Sequence, residues 1–431
     1  MTASAPAELR GTSQAGPQEK GFTKLIVAVS IGNALEWYDI SSYGYFAVYV
    51  SRAFFPNNDP ATSLLLTFGT FGLAFLIRPI GGVVLGAYAD RYGRKASLLV
   101  SIVMMTMGTL AIALMPSYQT IGILAPIGVL IARLVQGFSA GGEFGSSTAF
   151  LVEHAPDRRG FIASWQFASQ GLGQLLSSAF GVGLTLWMAP GEMSSWGWRI
   201  PFLFGVLVGP VGIYIRNHLD DATAPPAAKQ TSPVVEVFLH QKLRVLLCIG
   251  AHAVSTATNY LIVYMPTYVV KTLKFPPTVG YEATLAGALV VTLLTPVAGV
   301  VSDRVGRTTH MIAVNLLLLC SIVPAFLVLT RNPTPTVIVI GVFWLAAVKS
   351  LYVGALPALM SELLPAATRA TGLGLSYNIG VTLFGGMGPV FMTWLGGIAF
   401  IGNLAPAYYL TFVCMLSLYT LITIRRTSAN V

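Results

Sequence analysis

Six ionisable residues stand inside long apolar runs: Glu36, Asp39, Arg78, Arg133, Glu143 and Lys349. A charge held at the centre of a hydrocarbon layer costs about 3 kcal/mol or more, so such groups are functional candidates. Three acids against three bases leave an interior close to neutral. Protonating one carboxylate would uncover a cation, and an uncovered cation can hold an anion. The plainer alternative is mutual pairing that only fastens helices together. Spacing narrows the partners. Glu36 and Asp39 stand at i and i+3 and share a helix face. Arg133, Gln136, Ala140 and Glu143 fall within about 80° of one another at 100° per residue. Arg133 and Glu143 are nevertheless about 15 Å apart along that axis, so each needs its own partner. Asp39 is the expected partner of Arg133.

Two uncharged polar rows accompany these charges. Gln166, Gln170 and Gln174 recur every four residues, and Ser177 continues the row. His252, Ser255, Thr256 and Asn259 form a second row, with Tyr260 and Tyr264 beside it. Neither row can face lipid cheaply. Each either lines a shared aqueous cavity or makes hydrogen bonds between helices. Other chemistries lack their residues. Cys248, Cys320 and Cys414 sit in apolar runs without a CxxC pair or a His/Cys cluster, so no metal site is expected. The stretch Gly137-Phe138-Ser139-Ala140-Gly141 matches a nucleophile pattern but lacks the strand that pattern requires. No phosphate-binding loop occurs, so ATP is not the expected energy source. No cofactor is expected; the proton would be the coupling ion.

The elements that position these residues follow from composition. Of 431 residues, 55% are hydrophobic and 10% charged. A soluble domain carries about 25% charged residues. Mean hydropathy is +0.72. A soluble enzyme and a disordered chain are thereby excluded, and a polytopic membrane protein remains. About 20 apolar residues cross a bilayer. Apolar runs lie near 24–50, 62–88, 97–115, 121–150, 160–188 and 198–215, then near 243–270, 280–302, 310–330, 335–362, 369–396 and 404–424. The first, containing Glu36 and Asp39, is too long and polar for a cleaved signal peptide.

The expected fold is an all-α membrane protein of twelve transmembrane helices in two pseudo-symmetric six-helix bundles. Residues 1–23 read as a disordered cytoplasmic tail, 24–217 as the N-terminal bundle, and 218–241 as a cytoplasmic linker. Residues 242–426 read as the C-terminal bundle and 427–431 as a tail. The halves repeat a motif, because Gly86-x-x-x-Asp90-Arg91-x-Gly93-Arg94 reappears as Gly299-x-x-x-Asp303-Arg304-x-Gly306-Arg307, 213 positions later. Glu153-x-x-Pro156 and Glu362-x-x-Pro365 repeat at an offset of 209. The loops on one side, with both tails, hold 17 of the 25 basic residues, which makes that side cytoplasmic. The net charge of +9 therefore reports orientation, and a nucleic-acid partner is not expected.

The repeated loops and Arg133-x-x-Gln136-Gly137 resemble the major facilitator superfamily. Gly32-Asn33-x-x-Glu36-Trp37-Tyr38-Asp39, Phe54-Phe55-Pro56, Arg78-Pro79-Ile80-Gly81 and Trp196-Gly197-Trp198-Arg199-Ile200-Pro201-Phe202 resemble its metabolite:proton symporter family. Met115-Pro116-Ser117-Tyr118-Gln119 and the Ser164 to Gln170 stretch look most like citrate and tricarballylate members. Lys349 has no evident place in that pattern. The resemblance implies a cytoplasmic gate of Asp90, Arg91, Arg94 and Glu153 in one half and Asp303, Arg304, Arg307, Glu362 and Arg369 in the other. It also implies an acid on span 1 beside an arginine on span 4, here Asp39 and Arg133.

The expected function is import of a small organic anion, citrate-like or another di- or tricarboxylate, by proton symport with alternating access. Asp39, Glu36, Glu143 and Arg133 are the expected proton-coupling residues. Arg78, Arg133, Gln166, Gln170, Asn259, Tyr260, Lys349 and Tyr377 are the expected substrate-binding set. The alternative is proton symport of an aromatic acid such as shikimate, or of an osmolyte such as proline or betaine. Drug–proton antiport is disfavoured by the lack of a proline motif in span 5, and an embedded enzyme or receptor by the lack of a catalytic set or signalling domain. The expected setting is a bacterial inner membrane, with both termini inside and a monomer as the unit.

Overall fold

The computed structural model describes residues 17–92, 94–153, 156–218, 233–398 and 400–428. Among them, twelve long helical elements run in chain order. In the first half these are α1 (Pro17–Tyr45, resumed after Phe46 as Ala47–Phe54), α2 (Pro60–Leu76, then Arg78–Tyr92) and α3 (Arg94–Leu114). They are followed by α4 (Leu124–Ser139, then Glu143–Glu153), α5 (Arg159–Trp187) and α6 (Ile200–His218). The second half holds α7 (Lys242–Lys271), α8 (Pro277–Val305), α9 (Arg307–Arg331) and α10 (Pro335–Val353, then Leu356–Leu363). It ends with α11 (Arg369–Val381, a π-helical stretch Thr382–Gly386, then Gly388–Gly396) and α12 (Ala405–Ser428).

Eight stretches are long and apolar enough to cross a membrane by length and composition, including 60–88, 124–153 and each segment of the second half. Among the described residues, α1, α3, α5 and α6 fall outside that group, and shorter apolar stretches run over 99–114 in α3 and over 197–207 into α6. Large apolar side chains such as Leu114, Leu186, Leu207, Leu293 and Phe412 are exposed around the outside. An apolar exterior of this extent suits lipid, where every backbone polar group must be satisfied inside a helix.

Among the described residues, helix extends into two stretches expected to lie outside the spans. Helix begins at Pro17, within the stretch expected as tail, and the described part of the linker contains a helix from Pro233 to His240. Residues 1–16, 219–232 and 429–431 lie outside the described set.

Glycine lets helices touch backbone to backbone. A Cβ on Gly141 would collide with the Arg78 carbonyl, and one on Gly354 with Ala298 and Gly299. Both glycines mark the breaks in α4 and α10, and they stand 213 positions apart like the loop motifs. The duplication is thus a repeat of packing. Arg199 reaches the carbonyls of Ala113 (2.9 Å) and Met115 (2.8 Å) at the end of α3, a favourable place for a cation. The Tyr38 hydroxyl donates to Pro201 O at 2.7 Å. These contacts account for the Trp196 to Phe202 motif as a clasp within the first bundle.

The halves meet along α5 and α8, where α2 and α4 pack on α11, and where α1 packs on α7. Helix α7 is central, with every residue from Leu247 to Val269 buried.

Candidate functional site

In the N-terminal half, four helices converge on the charges. Helix α1 carries Glu36 and Asp39, and α4 carries Arg133. Arg78 opens the second segment of α2, directly after the break at Ile77. These four side chains, with Phe75 and Gln136, line a small cavity. All four are buried. Arg78 Nη2 and Glu36 Oε1 form an ion pair at 3.2 Å. The Arg78 guanidinium also lies 4.5 Å from the centre of the Phe75 ring.

The expected pair of Asp39 and Arg133 is present as a relay rather than a direct contact. Arg133 Nη1 donates to Gln136 Oε1 at 2.9 Å. Gln136 Nε2 donates to Thr109 Oγ1 at 2.8 Å, and the Thr109 hydroxyl donates to Asp39 Oδ2 at 2.8 Å. The guanidinium itself sits over the Tyr43 and Phe71 rings, at 4.2 and 5.1 Å from their centres. Aromatic faces stabilise a desolvated cation without fixing its donors. Asp39 Oδ1, Arg78 Nε and Arg133 Nε have no hydrogen-bond partner. The site is therefore only partly satisfied, and a buried polar group left so costs about 1–3 kcal/mol. Thr109 was missed from sequence. Its only signal was a hydroxyl within the apolar Met104 to Leu110 stretch of α3.

The polar row on α5 divides by partner. Gln166 is held by its neighbours: Asn33 Nδ2 donates to its backbone carbonyl at 2.6 Å and Ser147 Oγ to its Oε1 at 3.3 Å. Gln170 is buried, and its Nε2 lacks a partner. Gln174 crosses between the halves, where its Nε2 donates to Asn259 Oδ1 at 2.9 Å. Lys349 Nζ on α10 donates to the same oxygen at 2.6 Å. Gln174 was read as part of a row but not placed with the ligand-binding residues.

Aromatic rings close the floor and walls. Tyr260 packs between the halves, with ring centres 6.0 Å from Trp37, 5.8 Å from Phe71 and 5.3 Å from Phe75. Tyr377 on α11 stacks on Phe144 at 3.6 Å and on His252 at 5.0 Å. His252 Nδ1 meets the Ser255 hydroxyl at 2.9 Å, while its Nε2 lacks a partner. The second polar row thus does face the interface between the bundles.

The halves touch on either side of this interior. At the end with the repeated loops, Asp303 accepts from Gly160 N at 2.9 Å and Phe161 N at 3.1 Å, so an α8 carboxylate caps α5 of the other half. The Arg307 guanidinium bonds Asp303 at 2.9 Å and also pairs with Glu362. Arg159 approaches Glu362 at 3.9 Å and Arg369 pairs with Glu153 at 3.3 Å, both across the halves. Arg91 and Arg304 are exposed at that end. The side chains of Asp90, Arg94 and Glu143 lie outside the described set. Near the opposite end, the Tyr281 hydroxyl donates to Tyr45 O at 3.2 Å and its ring stacks on Phe46 at 5.2 Å.

Known proteins share this fold. The sequence pattern of the Major Facilitator Superfamily matches residues 29–389. A citrate-proton symporter of Klebsiella pneumoniae is 38% identical over 435 residues, covering 100% of this chain and 97% of that protein. A proline/betaine transporter of Escherichia coli (strain K12) is 34% identical over 422 residues, covering 94% of this chain and 84% of that one. The crystal structure of a D-xylose-proton symporter superposes with a TM-score of 0.73 at 18% identity, over 92% of this chain and 97% of the other. The chain belongs to the Major Facilitator Superfamily and is a multi-pass membrane transporter, not an enzyme.

Proposed function

We propose that the protein imports a small organic anion, a di- or tricarboxylate of the citrate kind, together with protons. One observation carries this reading. Lys349 is buried with an amide oxygen as its partner, and no carboxylate lies within ion-pair distance of it among the described residues. Burying an unbalanced cation costs several kcal/mol, which a carboxylate ligand would offset. Arg78 and Arg133 supply two further cations, whose planar donors suit a carboxylate. The likeness to a citrate-proton symporter supports the same substrate class.

Asp39, with an unpartnered oxygen beside the relay, is the leading proton carrier, and Glu36 and Glu143 are the alternates. The Asp303, Arg307, Glu362, Glu153 and Arg369 contacts form the cytoplasmic gate, to which Asp90, Arg91, Arg94 and Arg304 belong by the repeated motif. In this reading the protein is a monomer in a bacterial inner membrane with both termini cytoplasmic. One half rocks against the other about the central site.

A second reading has its own support. The rings of Trp37, Phe71, Phe75 and Tyr260 suit a quaternary ammonium, and the proline/betaine relative takes the same fold. Counterflow in proteoliposomes separates the two. Saturable uptake of labelled citrate or another di- or tricarboxylate, accelerated by an inward proton gradient, is expected. Transport of proline or betaine alone would overturn the anion reading.

A further inference from the structure

Three polar side chains from three helices meet at one oxygen. Lys349 of α10 and Gln174 of α5 both donate to Asn259 Oδ1, at 2.6 and 2.9 Å. Their relative exposures are 2%, 0% and 3% for Lys349, Gln174 and Asn259, so water does not reach them freely. The assignment of amide atoms follows from chemistry. A lysine ammonium only donates, so the Asn259 atom facing it must be oxygen. That same oxygen faces Gln174, which must then present its NH2 group. The remaining ends, Asn259 Nδ2 and Gln174 Oε1, are left over, and neither has a partner.

The inventory that remains is specific. Asn259 offers an amide donor, Lys349 has ammonium hydrogens beyond the one it uses, and Gln174 offers an acceptor. A simple carboxylate would satisfy the two donors and leave the Gln174 oxygen unpaired. A carboxylate bearing a hydroxyl on the adjacent carbon satisfies all three: its oxygens accept from Lys349 and Asn259, and its hydroxyl donates to Gln174 Oε1. Gln174 belongs to the N-terminal half and the other two to the C-terminal half. A ligand that enters while the halves are apart meets all three groups only when they close again, which brings Gln174 back to Asn259 and Lys349.

We propose that Gln174, Asn259 and Lys349 form a subsite that selects 2-hydroxycarboxylates, with Gln174 as the residue that reads the hydroxyl. This rests on the carboxylate reading above and narrows it. The subsite accounts for the buried, unpartnered amide ends, which a purely structural cross-link would leave unexplained.

The test compares ligands that differ by one hydroxyl: citrate against propane-1,2,3-tricarboxylate, and malate against succinate. Binding to the full-length purified protein is read by ligand-induced thermal shift and by inhibition of counterflow. The wild type should favour the hydroxy acid of each bindable pair by about tenfold, as a lost hydrogen bond in a buried site implies. Gln174→Leu should bring that ratio to within about threefold, by weakening the hydroxy acid and leaving its partner nearly unchanged. Equal binding of both acids by the wild type overturns the proposal, and this arm needs no variant to fold. An equal loss for both acids in Gln174→Leu also overturns it, since that is the mark of a structural cross-link. If neither acid of either pair binds while betaine does, the carboxylate reading itself fails and this narrower one falls with it.

Discussion

The two halves share helices, glycine contacts and a loop motif, yet they bring different chemistry to their interface. The N-terminal half brings Glu36, Asp39, Arg78 and Arg133, tied together by one ion pair and one relay. Among the described residues, the one buried lysine or arginine of the C-terminal half is Lys349, which stands with the uncharged side chains of Asn259, Tyr260 and Tyr377. Moved by the 213 positions that relate the halves, Arg78 falls on Val291, Arg133 on Ala346 and Gln136 on Lys349, whereas Gly141 falls on Gly354 and Gly86 on Gly299. Duplication has kept the tight glycine contact of Gly141 and Gly354 and the charged loop motif, and has changed the charges buried inside the spans. In the proposed mechanism packing constrains both halves alike, because each would move as a unit. The charges buried in the spans do not repeat, so in the proposed function each half has its own part.

The comparison is broken most severely at Asp39. Asp39→Asn keeps an oxygen for the Thr109 hydroxyl but can no longer carry a proton. Proton-driven accumulation in proteoliposomes should fall to background, while substrate exchange without a gradient continues. Full accumulation by this variant would remove the proton role from Asp39 and make the first half as passive in coupling as the second.

The cations offer a sharper contrast. Lys349→Met should raise the apparent KM for a carboxylate by roughly 10–100-fold, the effect of losing a charge-assisted hydrogen bond of about 1.5–3 kcal/mol. The same variant should raise the Tm of the ligand-free protein, because it removes a buried charge that lacks a carboxylate partner. Arg78→Met should lower that Tm, because it takes the ion-pair partner from buried Glu36. Opposite signs separate a cation kept for a ligand from one that is paired within the protein. Equal signs would mean that Lys349 is as much a structural group as Arg78.

The fold and the site were not equally legible. Twelve apolar runs and the repeated loops follow from the cost of placing polar groups in lipid, which leaves a chain few choices. The buried charges stand out for the same reason. Lateral contacts are different, because spacing along one helix does not say which neighbour inserts beside it. Thr109 of α3 enters between Asp39 and Gln136, so a pair expected to be direct became a relay. The row on α5 looked uniform, yet Gln166 bonds within its own half and Gln174 crosses to the other. The breaks at Ile77 and at Gly141 fall inside runs read as continuous spans, although Pro79 and the Gly141-Gly142 pair are the residues that weaken a helix there.

The smallest effect is expected at the proposed gate. Asp303 accepts two backbone N–H groups at the start of α5 and pairs with Arg307, joining the halves at one end. Gly160 permits this, because a Cβ there would lie 2.6 Å from Gly299 O. Asp303→Asn retains one acceptor oxygen but loses the charge that favours a helix N-terminus. Such a cap is worth about 1 kcal/mol, so the closed contact should weaken by roughly fivefold. In exchange assays with proteoliposomes of defined orientation, the step that opens this end should quicken by that factor, with the KM for substrate unchanged. The repeated motif predicts the same change for Asp90→Asn. Equal effects would extend the symmetry of the halves from packing to gating. A change in only one would confine the symmetry to packing and make gating a third respect, after proton and ligand chemistry, in which the halves differ.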